Sequence, residues 1–294
     1  DVSGARVEFG KALRAIGAPA KGKTRFHLRF SDGSIAHAEK VVLAVGGRGV
    51  SVVDTSSVIP CELTRPVLGP LATDSRITRQ LNNIRVKCAV SLERSGSLVA
   101  REEGELLFRD YGVSGVCVFN LSRFACEGDV LSIDFLPHMP AADRDAWLFA
   151  RRKHLSARLG ENGQIAAEDV LRGAMLPQVA QVLCKCAGID PARPLSKKDV
   201  LALSRVIGGL RLTVRGIGDA KQCQVSRGGL SIAAFDPQTM GAVRASGLFA
   251  AGEALDVDAP CGGYNLHWAW SSGLLAGVSA ARSAVSADGE GEGE

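Results

Sequence analysis

Residues 247–277, GLFAAGEALDVDAPCGGYNLHWAWSSGLLAG, read as strand, loop and helix in immediate succession, and the rest of the chain has to close around that unit. Residues 247–251 form a short apolar run ending in Gly252-Glu253. There a residue without a side chain lets a ligand approach the backbone, and a carboxylate can accept hydroxyl hydrogens. A sugar or ribityl chain suits that corner. Asp256, Asp258, Pro260, Gly262 and Gly263 supply turn geometry, and a helix is expected to begin near Tyr264 and Asn265.

Along that helix Leu266, Trp270, Leu274 and Val278 recur every fourth residue, while Ala269, Gly273 and Gly277 make a second stripe almost without side chains. A helix N-terminus carries partial positive charge from its unpaired N–H groups. It favours an anion, or a group that becomes anionic during reaction, as the N1–C2=O edge of a reduced flavin does. The same spacing accords with a tightly packed C-terminal core helix behind a glycine-rich turn, and the residues by themselves leave both readings open.

A second strand empties into glycines near the start of the chain. Residues 41–45 are a continuous apolar run, expected to be a strand covered on both faces, and they end at Gly46-Gly47. That corner is either a plain turn or bare backbone over which a phosphate or ribose passes. Before it, residues 5–16 alternate weakly and 24–30 alternate well, which predicts a small antiparallel ribbon turning at 31–34. Residues 58–71 are Pro-containing and read as a connector. Residues 83–92, 97–108, 116–121 and 129–136 read as strands of a mostly antiparallel second domain. Residues 141–206 change to helical texture, with Ser196 as an N-cap, and 212–225 returns to strand.

The expected organisation is therefore an α/β domain from residues 1–57 and 216–284. It carries an inserted β domain, 58–140 with 207–215, and a helical subdomain, 141–206. Residues 285–294 are polar and glycine-rich and read as a disordered tail.

A net charge of +4 on 294 residues is mild, and the basic residues are dispersed, so nucleic acid is not an expected partner. No apolar run has membrane-spanning length, and no membrane partner is expected. The eight cysteines include no C-x-x-C pair, so a structural zinc site is not expected. They read as mostly buried, reduced thiols of a cytoplasmic protein.

Three blocks, in order, carry a family resemblance. Residues 104–115, GELLFRDYGVSG, resemble a G-E-L-L-F-T-D-Y-G-x-S-G segment; 224–229, QVSRGG, resemble Q-V-T-x-G-G. Residues 252–273 resemble a Gly-Glu, D-V-D-G-P-T-G-G-Y-N and W-A-W-S-S-G succession. With these the chain resembles the bacterial FAD-binding NAD(P)/FAD-dependent oxidoreductases that include aminoacetone-oxidase-like and bile-acid-reducing flavoproteins. The resemblance implies an α/β fold of the two-dinucleotide-binding flavoprotein type, with FAD as cofactor, NAD(P)H as reductant and a small organic substrate. It places Gly252 and Glu253 on the ribityl or pyrophosphate portion, and Gly262, Gly263, Tyr264, Asn265 and Leu266 along the flavin pyrimidine edge. Gly46 and Gly47 fall near the adenosine half, with Leu13 against adenine. Asp110, Tyr111, Cys261 and His267 stand as substrate-side groups, and no residue is assigned as proton donor.

Two departures accompany the matches. The family begins with a strand and a G-x-G-x-x-G helix that hold the FAD pyrophosphate, and this sequence contains no such element. A G-S-T-G-D-G-Y segment that follows the family's second glycine turn is also shortened. The sequence is therefore expected to be an N-terminal truncation of such an enzyme. The alternative is a non-catalytic module that keeps the fold without holding FAD tightly. An RNA-modifying flavoprotein of related architecture is disfavoured by the dispersed charge.

Overall fold

The computed structural model describes residues 4–20, 24–158 and 165–288. The chain divides into two compact units, residues 1–66 with 225–294, and residues 67–224.

The first unit opens with β1 (Leu13–Gly17), β2 (Phe26–Phe30) and β3 (Ile35–Ala38), an antiparallel sheet in the order β1-β2-β3. The alternation of 24–30 puts Phe26 wholly inside. Asp32 closes the following turn by accepting the Ser34 N–H at 2.9 Å. β4 (Val41–Leu43) then runs into the short helix α1 (Gly46–Val50). The strand expected to be covered on both faces is covered on one: Val41 and Leu43 are buried and Val42 is exposed. The exposure is confined to Val42, since Phe249, opposite it on the partner strand, is buried. β5 (Cys61–Val67) corrects the expected connector. It belongs to a two-stranded sheet, where an edge position accommodates Pro66.

The second unit comprises β6 (Leu71–Thr73), α2 (Ser75–Thr78), β7 (Arg85–Arg94), β8 (Ser97–Arg109), β9 (Gly112–Ser114), α3 (Val116–Ser122) and β10 (Val130–Asp134). It continues through α4 (Ala141–Arg158), α5 (Pro177–Cys186), α6 (Lys197–Ile207) and β11 (Leu210–Ile217). Its strands close an antiparallel barrel in the order β10-β11-β6-β9-β8-β7. Val90, Leu92, Leu106 and Phe108 fill it.

Residues 116–121, expected as a strand, form α3. Gly115, at φ 106, turns the chain out of β9, and the helix then buries Cys117, Val118 and Leu121 at helical spacing. A run of apolar residues this short satisfies both periods, and packing decides it. Ser196 caps α6 as predicted: its Oγ accepts the Asp199 N–H at 3.2 Å, and Asp199 Oδ2 accepts the Ser196 N–H at 2.8 Å. Residues 141–206, expected as a separate helical subdomain, share one apolar core with the barrel, in which Leu148, Leu183, Leu203 and Ile207 join Val90 and Phe108.

The expected strand over 212–225 is split by a short 3-10 turn, Ala220–Gln222, into the end of β11 and β12 (Val225–Leu230), which pairs with β5. β13 (Leu248–Ala250) lies parallel to β4, with Leu248 opposite Val41 and Ala250 opposite Leu43. α7 (Tyr264–Asp288) begins where the sequence places it. It takes in residues 285–288 of the expected tail, and 289–294 lie outside the described residues.

The rotation of α7 about its axis is fixed by hydrogen bonds to one glycine. The Gly252 N–H donates to Ser272 Oγ at 2.9 Å, and Trp268 Nε1 donates to the Gly252 carbonyl at 3.1 Å. Ser272 and Ala276 are consequently buried, and the row Leu266, Trp270, Leu274 and Val278 faces outward, with Trp270 80% exposed.

Candidate functional site

Three carboxylates of the closing loop fasten β12. Glu253 Oε1 accepts the Ser226 N–H at 3.0 Å, and Asp256 Oδ1 accepts the Gly228 N–H at 2.7 Å. Asp258 takes Arg227 in a two-pronged pair, Nε to Oδ1 at 2.8 Å and Nη2 to Oδ2 at 2.9 Å. Planar guanidinium on planar carboxylate fixes direction as well as distance. The loop's far end is clamped by Asn265, whose Oδ1 accepts the Ala259 N–H and whose Nδ2 donates to the Ala259 carbonyl, both at 2.9 Å. The loop between strand and helix is therefore held at both ends before any ligand arrives.

Between these clamps the backbone is bare. Gly262 and Gly263 adopt φ of 127° and 90°, which side-chain-bearing residues rarely take, and nothing lies within 4 Å of where a Gly263 Cβ would stand. The first helical bond of α7 is made by the His267 N–H to the Gly263 carbonyl at 3.0 Å, so the N–H groups of Tyr264, Asn265 and Leu266 precede it. Tyr264 and Leu266 are exposed beside them.

The other expected residues divide. Gly46 opens α1 at φ 71 with open space where its Cβ would be, whereas a Cβ on Gly47 would stand 2.6 Å from Ser226 Cβ and 3.3 Å from the Glu253 carbonyl. Gly47 is thus a packing glycine, joining α1 to β12 and Glu253. Gly252 is likewise spent on α7. Glu253 is half committed, one oxygen accepting from the Ser226 N–H. Asn265 serves the loop through its side chain and can offer a ligand only its N–H. Leu13 packs on the edge of the unit's apolar core. Asp110 and Tyr111 belong to the barrel unit, in the turn from β8 to β9. Burial raises the Tyr111 hydroxyl above its usual value, and that oxygen has no hydrogen-bond partner among the described residues. Cys261 is half-buried in the loop, and His267 is exposed in the first turn of α7.

Residues 2–279 match the family described as HI0933-like protein Rossmann domain. The chain belongs to that family. Its architecture is a mixed α/β Rossmann type with an antiparallel six-stranded barrel inserted, and Rossmann domains bind dinucleotides. Among curated proteins the chain is similar to the 3-dehydro-bile acid delta(4,6)-reductase of Clostridium scindens, 28% identical over 94% of this chain and 69% of the relative. It is similar to the ribosomal RNA dihydrouridine synthase of Escherichia coli, 28% identical over 86% of this chain and 63% of the relative. It is also similar to the protein of that name from Haemophilus influenzae, 27% identical over 60% of this chain and 42% of the relative. No helix among the described residues is long and apolar enough to cross a membrane.

The open backbone at Gly263, the second carboxylate oxygen of Glu253 and the N-terminus of α7 fit the ribityl chain and pyrimidine edge of a flavin, and Gly46 keeps open backbone at the corner expected near the adenosine half. The pyrophosphate finds less: the glycines after β4 lead into a helix of five residues, and Gly47 is closed by Ser226. Sequence reasoning missed Ser226, Arg227, Trp268 and Ser272 as the scaffold of the site. The signal available was the acidic spacing of Glu253, Asp256 and Asp258, each aimed at one position of the QVSRGG segment.

Proposed function

We propose that this chain forms the flavin-edge side of an FAD-dependent oxidoreductase in which NAD(P)H is the reductant and the substrate is a small organic molecule. The observation that carries the reading is the pre-clamped loop of Gly262 and Gly263 ahead of α7, in a chain of the HI0933-like family. Bound FAD supplies the redox chemistry. The protein's own part is to hold the loop open through Asn265 and the Arg227–Asp258 pair. It also presents α7 N–H groups to the pyrimidine edge and offers Glu253 to a ribityl hydroxyl. A small-molecule substrate is favoured because the bile acid reductase is matched over more of this chain than either RNA-modifying relative.

Residues 1–294 by themselves offer the two phosphates no glycine-rich cradle, whose charge-assisted hydrogen bonds are worth about 1.5–3 kcal/mol each. Three such bonds are a difference of about 4.5–9 kcal/mol, enough to move a nanomolar site to micromolar or weaker. Titrating FAD into purified residues 1–294, followed by flavin fluorescence, is expected to give weak saturable binding. Gly263→Val, which fills the open backbone, is expected to weaken it at least about tenfold, or about 1.4 kcal/mol. Binding that the substitution leaves untouched would remove the loop from the site. No binding at any concentration would favour a non-catalytic module that keeps the fold.

The names of two relatives support a second reading, an RNA substrate. Its signature is RNA affinity that falls steeply with salt. Filter binding of a ribosomal RNA fragment at two salt concentrations separates the two, with no salt-dependent retention expected.

A further inference from the structure

A cavity of about 550 Å3 opens in the barrel unit, where the C-terminal ends of α5 and α6 meet α2 and the start of β11. Its floor is apolar. Val182 and Leu210 are buried members of the unit's core, and Ile77 and Val206 pack against that core. A cavity walled by core side chains is formed before any ligand arrives, and its size suits one small molecule.

Its rim is basic. Arg76 on α2, Lys185 on α5 and Arg211 on β11 line the opening and are exposed, and no acidic residue lines it among the described residues. Arg211 Nη1 is held by Glu93 Oε2 at 2.9 Å. Arg76 and Lys185 make no ion pair among the described residues. The carbonyl ends of α5 and α6 also face this region, each equivalent to about half a negative charge. Together with Glu93 they offset most of the basic rim, and an excess of about one positive charge remains over the apolar floor.

We propose that this cavity binds a single amphipathic organic anion, a carboxylate with an apolar tail. The head lies between Arg76 and Lys185, and the tail lies on Ile77, Val182, Val206 and Leu210. Arginine and lysine lay apolar stems along such a wall while their charged ends stay in water, so the carboxylate meets its partners without full desolvation. The Arg76 guanidinium offers it two parallel N–H donors. Burial of the tail supplies most of the affinity, and the rim selects the sign of the head. An inorganic anion would leave the floor unused, and a cationic amphiphile would meet the uncompensated charge of the rim. The site lies wholly within residues 67–224, so it stands or falls independently of FAD binding to the other unit.

The test uses the intact 294-residue chain and dodecanoate, kept below the concentration at which it forms micelles. A dodecanoate analogue with a diazirine on its tail is irradiated with the protein, which is then digested for mass spectrometry. Adducts are expected on peptides containing Ile77, Val182 or Val206, and excess plain dodecanoate is expected to erase them. In calorimetry dodecanoate is expected to bind at one site, at least about tenfold tighter than either dodecyl maltoside, which has the tail and a neutral head, or sulfate, which has no tail. Arg76→Gln combined with Lys185→Gln is expected to weaken dodecanoate at least about tenfold and to leave dodecyl maltoside unchanged. Both side chains are exposed and outside any ion pair, and Arg79→Gln, on the adjoining turn and outside the cavity wall, serves as the comparison. Adducts confined to another surface, such as the outward row of α7, would overturn the proposal. So would equal affinity for the neutral amphiphile or for sulfate, a double variant that binds as the parent does, or no binding of dodecanoate.

Discussion

Asp129 satisfies three donors with one carboxylate. Arg94 reaches Oδ1 through Nε and Oδ2 through Nη2, and the Cys126 N–H reaches Oδ2, all at 2.8 Å. The Arg94 hydrogen bond, with smaller help from the Cys126 amide, holds the Asp129 carboxyl below the usual carboxylate range. A carboxylate depressed in the fold contributes its full stability above the unfolded value of about 3.9, and loses it as pH falls through the lower folded value. Asp129→Asn is therefore expected to lower stability at pH 7 by about 1–2 kcal/mol, discounted because Arg94 is partly exposed. Urea midpoints of both proteins should converge as the pH drops below about 4. An equal gap at pH 7 and pH 3 would mean the charge contributes nothing. The same residue-level logic applies to the side chains of Asn265 and Glu253. A polar side chain in a glycine-rich loop reads as a ligand contact, but each of these satisfies a backbone group of the protein first.

At the scale of elements, β12 is tightly specified at two adjacent glycines. A Cβ on Gly228 would stand 2.5 Å from the Leu63 carbonyl and one on Gly229 2.8 Å from that of Ala254, both at positive φ. Gly228→Ala is expected to destabilise the first unit by at least about 2 kcal/mol, backbone strain and a main-chain clash acting together. Gly96→Ala, at φ 82 with nothing within 4 Å, adds strain alone and serves as the comparison. Thermal melts of the two variants should separate them, and equal losses would show that the clash relaxes freely. Elements with a local signal were legible: the Ser196 cap, the β7–β8 ladder and the start of α7 each announce themselves within a few residues. Those decided by distant partners were not. β5 owes its existence to β12, α3 takes its period from the barrel it packs on, and α7 turns its bulkiest apolar row outward because Gly252 bonds to Ser272 and Trp268.

At the scale of the molecule, the barrel unit has a core of its own and ends that meet, since the Gln224 N–H donates to the Leu68 carbonyl at 3.1 Å. Residues 67–224 expressed alone are expected to unfold cooperatively in urea with a structured near-ultraviolet spectrum. A compact state that binds a hydrophobic dye and lacks that spectrum would contradict it. The meeting of those ends bears on the other unit through the chain itself. β5 and β12 pair although the whole barrel is threaded between them, and closing an unstructured loop of roughly 150 residues costs about 4–5 kcal/mol of chain entropy. With the barrel folded, that long excursion is reduced to a junction one hydrogen bond wide, and the pairing of β5 with β12 becomes as local as that of neighbouring strands. Melting the barrel would hand the entropy back, so a lesion deep in one unit loosens a strand pair in the other without any signal passing through contacts.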